Sequence, residues 1–113
     1  VEDDDGVRQV ARERLEQLGY SVIEAASGPQ AIAALTAEPD CALVFSDVVM
    51  PGGMSGFDLA RWLRENRPGT RILLTTGYAG EATGADDANA PPILRKPYSI
   101  AELARSLRAA LDR

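Results

Sequence analysis

An α/β domain built around a parallel sheet is the fold class this sequence predicts. Three observations lead to it. Helix-period and strand-type segments alternate along the chain, one strand-type segment is a continuous apolar run, and Ser27 and Ser99 each open a helix-start signature. Continuous apolar strands suit burial on both faces, and alternating units place helices on those faces.

The first helix carries Val7, Val10, Ala11, Leu15 and Leu18 at helical spacing, and Gly19 stops it. Asp4 and Asp5 read as acids favouring its N-terminus. Residues 21–25 read as a short strand. Ser27-Gly28-Pro29-Gln30 reads as a capping box for a helix that buries Ala31, Ile32, Ala34 and Leu35 and ends before Pro39. Residues 41–45 form the apolar run, read as a buried parallel strand. Ser55 caps the next helix, with Phe57, Ala60 and Leu63 as its inner stripe. Residues 71–75 and 92–95 are the remaining strands. Between them, residues 80–91 are rich in Ala, Gly and Asp, and support only a short or irregular helix. Ser99 and Glu102 form a second capping box, whose helix places Ile100, Leu103, Ala104, Leu107 and Leu111 on one face.

An α/β unit normally opens on a strand, yet only Val1 precedes the acidic cluster, and Val1 is no initiator Met. The sequence therefore reads as part of a longer chain, cut just after its first strand.

The 113 residues suit a single domain, 1–113, with one core. Apolar residues make up 45% and charged residues 26%, an ordinary globular balance that excludes a disordered or fibrous chain. No apolar run reaches membrane-spanning length, and the first residues are acidic where a secretory signal is basic. The single Cys41 forms no internal disulfide, so a reducing cytoplasmic setting is expected, with Cys41 as a small buried hydrophobe. The net charge of -5 argues against nucleic-acid binding by this segment. Histidine is absent, which excludes histidine acid/base chemistry and histidine metal ligands. Any metal must be a hard cation held by oxygen: magnesium, manganese or calcium.

Ligands of parallel sheets bind outside the carboxyl ends of the strands. The polar residues there are Glu2 and Asp3 after the inferred first strand, Ser46 and Asp47 after the apolar run, Thr75 and Thr76, and Lys96. A cluster of carboxylates repels itself, and magnesium would relieve it. Asp47 can then act as a nucleophile toward a phosphoryl group, with Lys96 and the Thr76 hydroxyl meeting the transferred charge. Each feature alone has a plainer reading. Asp47 before Val48-Val49-Met50-Pro51 could be a turn residue, Lys96 a surface lysine, and Thr75 and Thr76 ordinary strand residues. Their joint placement at four strand ends carries the argument.

Val1-Glu2-Asp3-Asp4, Ser46-Asp47-Val48-Val49-Met50-Pro51, Thr76-Gly77 and Lys96-Pro97 together resemble the response-regulator receiver (CheY-like) family across essentially the whole chain. The resemblance implies a flavodoxin-like, doubly wound five-stranded sheet of order 2-1-3-4-5, its central first strand largely missing here, so that this exact segment would fold poorly. It implies a two-component phosphorelay role: Asp47 as phosphoacceptor, Glu2, Asp3, Asp47 and the Val49 carbonyl as Mg2+ ligands, Thr76 and Lys96 as the groups that read the phosphoryl, and a cis bond before Pro97. It implies a histidine kinase or histidine phosphotransfer protein as partner, a phosphoacceptor rather than an enzyme, and no membrane or nucleic-acid contact. Gly52-Gly53 is a one-residue insertion, Ile93 replaces a common aromatic, and residues 80–91 are short for a full helix. The 75–80 run followed by a short element is similar to C-terminal receivers of hybrid histidine kinases. Two other readings remain: a phosphorylation-independent interaction module, and a magnesium-dependent phosphatase. The second needs an Asp two residues after the nucleophile, where this chain has Val49.

Overall fold

The computed structural model describes residues 1–50, 52–77 and 91–112. These form α1 (Asp5–Gln17), α2 (Gly28–Ala37), β1 (Leu43–Asp47), α3 (Gly56–Asn66), β2 (Arg71–Thr76), β3 (Ile93–Arg95) and α4 (Ile100–Leu111). The three strands among the described residues are parallel, in the order β1-β2-β3. Strand alternation divides the core in two. Val44 points to one face, with Leu35 of α2 and Leu59 and Leu63 of α3. Phe45, Leu73 and Leu94 point to the other, with Leu103 and Leu107 of α4, Leu15 of α1 and Leu18 just after it. This is a doubly wound α/β fold, as the alternation of elements predicts.

The helix starts follow their caps. Asp4 accepts a hydrogen bond from the Val7 amide at 3.0 Å. Ser55 with Asp58, and Ser99 with Glu102, form reciprocal capping boxes. The box at Ser27 is offset by one residue. Ser27 accepts from the Gln30 amide, but the Gln30 side chain accepts from Ala26 rather than from Ser27.

Several boundaries and faces differ from expectation. The strand expected over 41–45 runs instead over Leu43–Asp47. Cys41 belongs to the turn leaving α2, its amide bonded to the Glu38 carbonyl and its half-buried thiol to that of Leu43. The apolar run marked burial, whereas the ladder continues into the polar Ser46 and Asp47. In α3 the buried stripe is Gly56, Leu59 and Leu63, with Phe57 and Ala60 only partly covered. The close seat of Gly56 on the Asp47 carbonyl sets that rotation. In α4 the buried set is Leu103, Leu107 and Ala110, while Ile100 at the helix start lies beyond the core and is exposed. Val7 and Val10 of α1 are exposed as well. The expected element over residues 80–91 falls, apart from Pro91, outside the described residues. Ile93 opens β3, and Gly52 and Gly53 take φ of 87 and 79, conformations that favour glycine.

No strand forms over residues 21–25. A strand needs a neighbour along its length, and here one exists only at the carboxyl end. The Glu2 amide donates to the Ala25 carbonyl at 3.0 Å, while the Asp47 amide donates to the Val1 carbonyl at 3.0 Å. Val1 and Glu2 thus sit between residues 21–25 and β1, the central position expected for a first strand. A cavity of about 450 Å3 lies there, with Val22, Ile23, Leu43 and Leu111 among its lining residues.

Candidate functional site

The site stands at the carboxyl ends of the strands. Asp47 is the last residue of β1, and its side chain is only 14% exposed. The Val1 main chain is pinned beside it. The Val1 nitrogen donates to the Phe45 carbonyl at 2.6 Å, and the Val1 carbonyl takes the Asp47 amide. Arg8 adds a hydrogen bond to the Glu2 carbonyl at 2.9 Å. The chain therefore delivers Glu2 and Asp3 to Asp47, and one carboxylate oxygen from each of the three lies within 4.8 Å of the others.

This clustering shows in the acid–base behaviour. Burial pushes the Glu2 carboxyl up to about 7, aided by a hydrogen bond to Asp47 and by the Asp47 charge. Lys96 supplies the opposing charge. Its ammonium lies 3.5 Å from Asp47 Oδ2, and its amide donates to the Thr76 carbonyl at 2.8 Å. The Lys96–Pro97 peptide bond is cis, as expected.

Thr76 is buried at the end of β2, beside Lys96 through that backbone bond. The residue in register with Asp47 is Thr75. Val49 lies in the loop two residues after Asp47, its side chain half exposed. Ser46, though at the same strand end, is buried on the other face and donates to the Asp47 carbonyl at 2.9 Å. It steadies the main chain and takes no place among the acids.

Two supports escaped the sequence reading. The first is the Val1 main chain. The second is Gly56: a Cβ there would stand 2.5 Å from the Asp47 carbonyl oxygen and 2.9 Å from the Val48 Cα. The Gly56 amide donates to the Val48 carbonyl at 2.8 Å, and the Val48 amide to the Thr75 carbonyl at 2.9 Å. These bonds tie the start of α3 and the end of β2 to the loop after Asp47. A glycine directly after the Ser55 cap was the available signal.

The donor set fits a hard divalent cation. All three candidate side chains are carboxylates, and a cation among them would offset the burial and the Asp47 charge that together hold the Glu2 carboxyl high.

Comparison with known proteins agrees with this geometry. A family model described as response regulator receiver domain matches residues 1–108. The chain is 39% identical to the sensor kinase CckA of Brucella abortus, over 100% of this chain and 12% of that protein. It is 36% identical to the transcriptional regulatory protein YkoG of Bacillus subtilis, over 98% of this chain and 49% of that protein. The chain thus spans at most about half the length of these relatives. Among solved structures, a response regulator receiver domain protein from Clostridium thermocellum superposes with a TM-score of 0.88 at 26% identity, covering 99% of this chain and 90% of the other. A receiver domain of a signal transduction histidine kinase from Syntrophus aciditrophicus gives 0.83 at 26% identity, covering 99% and 86%.

Proposed function

The chain belongs to the response regulator receiver domain family of two-component systems, and on that premise we propose that Asp47 accepts a phosphoryl group from a partner phosphohistidine. One observation carries the proposal: the Asp47 carboxylate is held among two further acids and within 3.5 Å of the Lys96 ammonium.

In the proposed reaction an Asp47 oxygen attacks phosphorus. The phosphorus–nitrogen bond breaks, and its electron pair returns to the imidazole of the donor. Lys96 then pairs with a phosphoryl oxygen in place of the carboxylate, and the Thr76 hydroxyl donates to another. Glu2, Asp3, Asp47 and the Val49 carbonyl would hold Mg2+. Bound there, the ion would offset the carboxylate charge and the charge on the transferred group. The family is one of phosphoacceptor signalling domains rather than of conventional enzymes.

The donor in this reading is a histidine kinase or a histidine phosphotransfer protein. The 39% identity to a sensor kinase supports a receiver linked to a kinase, beside relatives that are transcriptional regulators. We place the segment, as one domain, in the cytoplasm. No helix among the described residues is long and apolar enough to cross a membrane.

Incubation with acetyl phosphate tests the reading. Magnesium-dependent modification at Asp47 supports it. An Asp47→Asn protein that binds its partner as the wild type does, whether or not phosphodonor is added, would favour the phosphorylation-independent module instead.

A further inference from the structure

Lys96 reaches Asp47 across an intervening strand. Asp47 ends β1, Lys96 follows β3, and β2 runs between them. The register sets Thr75 beside Asp47 on one side and Leu94 on the other. Register partners share a face of the sheet, as do residues two apart on a strand. Phe45, Leu73 and Leu94 obey this, packing in one cluster on the side of α1 and α4. Asp47, Thr75 and Lys96 continue those three rows. Neighbouring strands lie about 4.8 Å apart, so a side chain bridging β3 to β1 crosses β2 on that face. The 3.5 Å pair of Lys96 and Asp47 therefore spans Thr75. All three residues, with Tyr98, line the same cavity.

Thr75 is 5% exposed, and its Oγ1 is buried with no hydrogen-bond partner among the described residues. A valine would fill the same volume without leaving a polar atom unpaired, so the hydroxyl calls for an explanation. A lysine ammonium has three N–H donors and no acceptor, while a hydroxyl oxygen offers two lone pairs.

We infer that Thr75 is a positioning residue for Lys96. Its hydroxyl accepts one ammonium N–H whenever Lys96 leaves the Asp47 carboxylate, both in its excursions in the free protein and on its way to an incoming phosphoryl oxygen. The functional consequence rests on the phosphoacceptor reading; the geometry does not. Thr75 also differs from Thr76 in role, since Thr76 donates to the phosphoryl group and Thr75 accepts from the lysine.

Thr75→Val and Thr75→Ser test this in the whole domain. The first readout is side-chain mobility of Lys96, measured by NMR relaxation at Cε and Nζ in the free protein. Lys96 is expected to be more mobile in Thr75→Val and restored in Thr75→Ser, while Thr75→Val melts no lower than the wild type. The second readout is the rate of modification by acetyl phosphate with Mg2+. Thr75→Val is expected to be about tenfold slower, the size of one hydrogen bond to a charged group. In a Lys96→Ala background the same substitution should change nothing further. Unchanged Lys96 mobility in Thr75→Val overturns the inference, as does an equal slowing with and without Lys96. The mobility comparison involves no phosphoryl transfer, so it decides the inference separately from the phosphoacceptor reading.

Discussion

The Lys96 ammonium stands 3.5 Å from an Asp47 carboxylate oxygen, although the two residues belong to strands separated by a third. The Lys96 side chain is 31% exposed, so the pair contributes little to stability, on the order of 0–1 kcal/mol. In the proposed reaction its value lies in chemistry. Lys96→Ala should leave the urea midpoint nearly unchanged and slow modification by acetyl phosphate about 100-fold, as loss of one charge-stabilising donor does. Parallel unfolding and labelling measurements check it. A large loss of stability with an unchanged rate would reverse the assignment.

Glu2 gives the site a pH signature. Unfolded, it ionises near its ordinary value of 4.5, and folded near 7, so between those values the folded chain holds the extra proton. Stability from Glu2 is complete below about 4.5 and is lost as pH rises through about 7. Subtracting Glu2→Gln from wild type isolates this effect. The difference in urea midpoint, measured in chelator, should fall between pH 4.5 and 7. Mg2+ must displace the same proton, so its affinity should rise over that range and then level. Calorimetric titration checks this, and the Glu2→Gln protein should bind Mg2+ more weakly with less pH dependence.

Gly56 is required by contact. In an open helix, alanine would be favoured over glycine by up to about 1 kcal/mol. Here the added Cβ meets the Asp47 carbonyl at 2.5 Å. Gly56→Ala should destabilise by about 1–3 kcal/mol, the usual cost of overpacking, and should also lower Mg2+ affinity by displacing Asp47. Denaturant melts and Mg2+ titration measure both. A more stable Gly56→Ala protein would show that the helix start is free to move.

The space beside Val1 makes a further prediction. Residues 21–25 and β1 flank an apolar cavity of about 450 Å3, and Val1 already bridges them at one end. Adding four β-branched residues ahead of Val1 should continue that bridge as a parallel strand. The gain should exceed about 2 kcal/mol, the worth of burying one or two such side chains. Four Ser residues at the same place should add much less. Equal melting of the two extended proteins would contradict the strand reading.

The sequence made much of this arrangement legible, because caps and strand ends are local signals. Asp4, Ser27, Ser55 and Ser99 all start helices where their side chains indicated. Asp47 and Lys96, 49 residues apart, are brought together because parallel topology puts their strand ends on one rim. What escaped depends on neighbours. Burial in α3 follows Gly56 and Leu59, since a close approach to the Asp47 carbonyl fixes the helix rotation, and no helical period records that. Residues 21–25 have strand composition, yet pairing is a property of two segments. Thr75 and Thr76 look alike in sequence, and only the register shows which one lies beside Asp47.

The central claim is that Asp47 is the phosphoacceptor, and the direct measurement is peptide mapping after incubation with acetyl phosphate, with and without Mg2+. The account predicts one phosphoryl group per chain, on Asp47, abolished by chelator and by Asp47→Ala. Persistent, Mg2+-dependent labelling of the Asp47→Ala protein would contradict it.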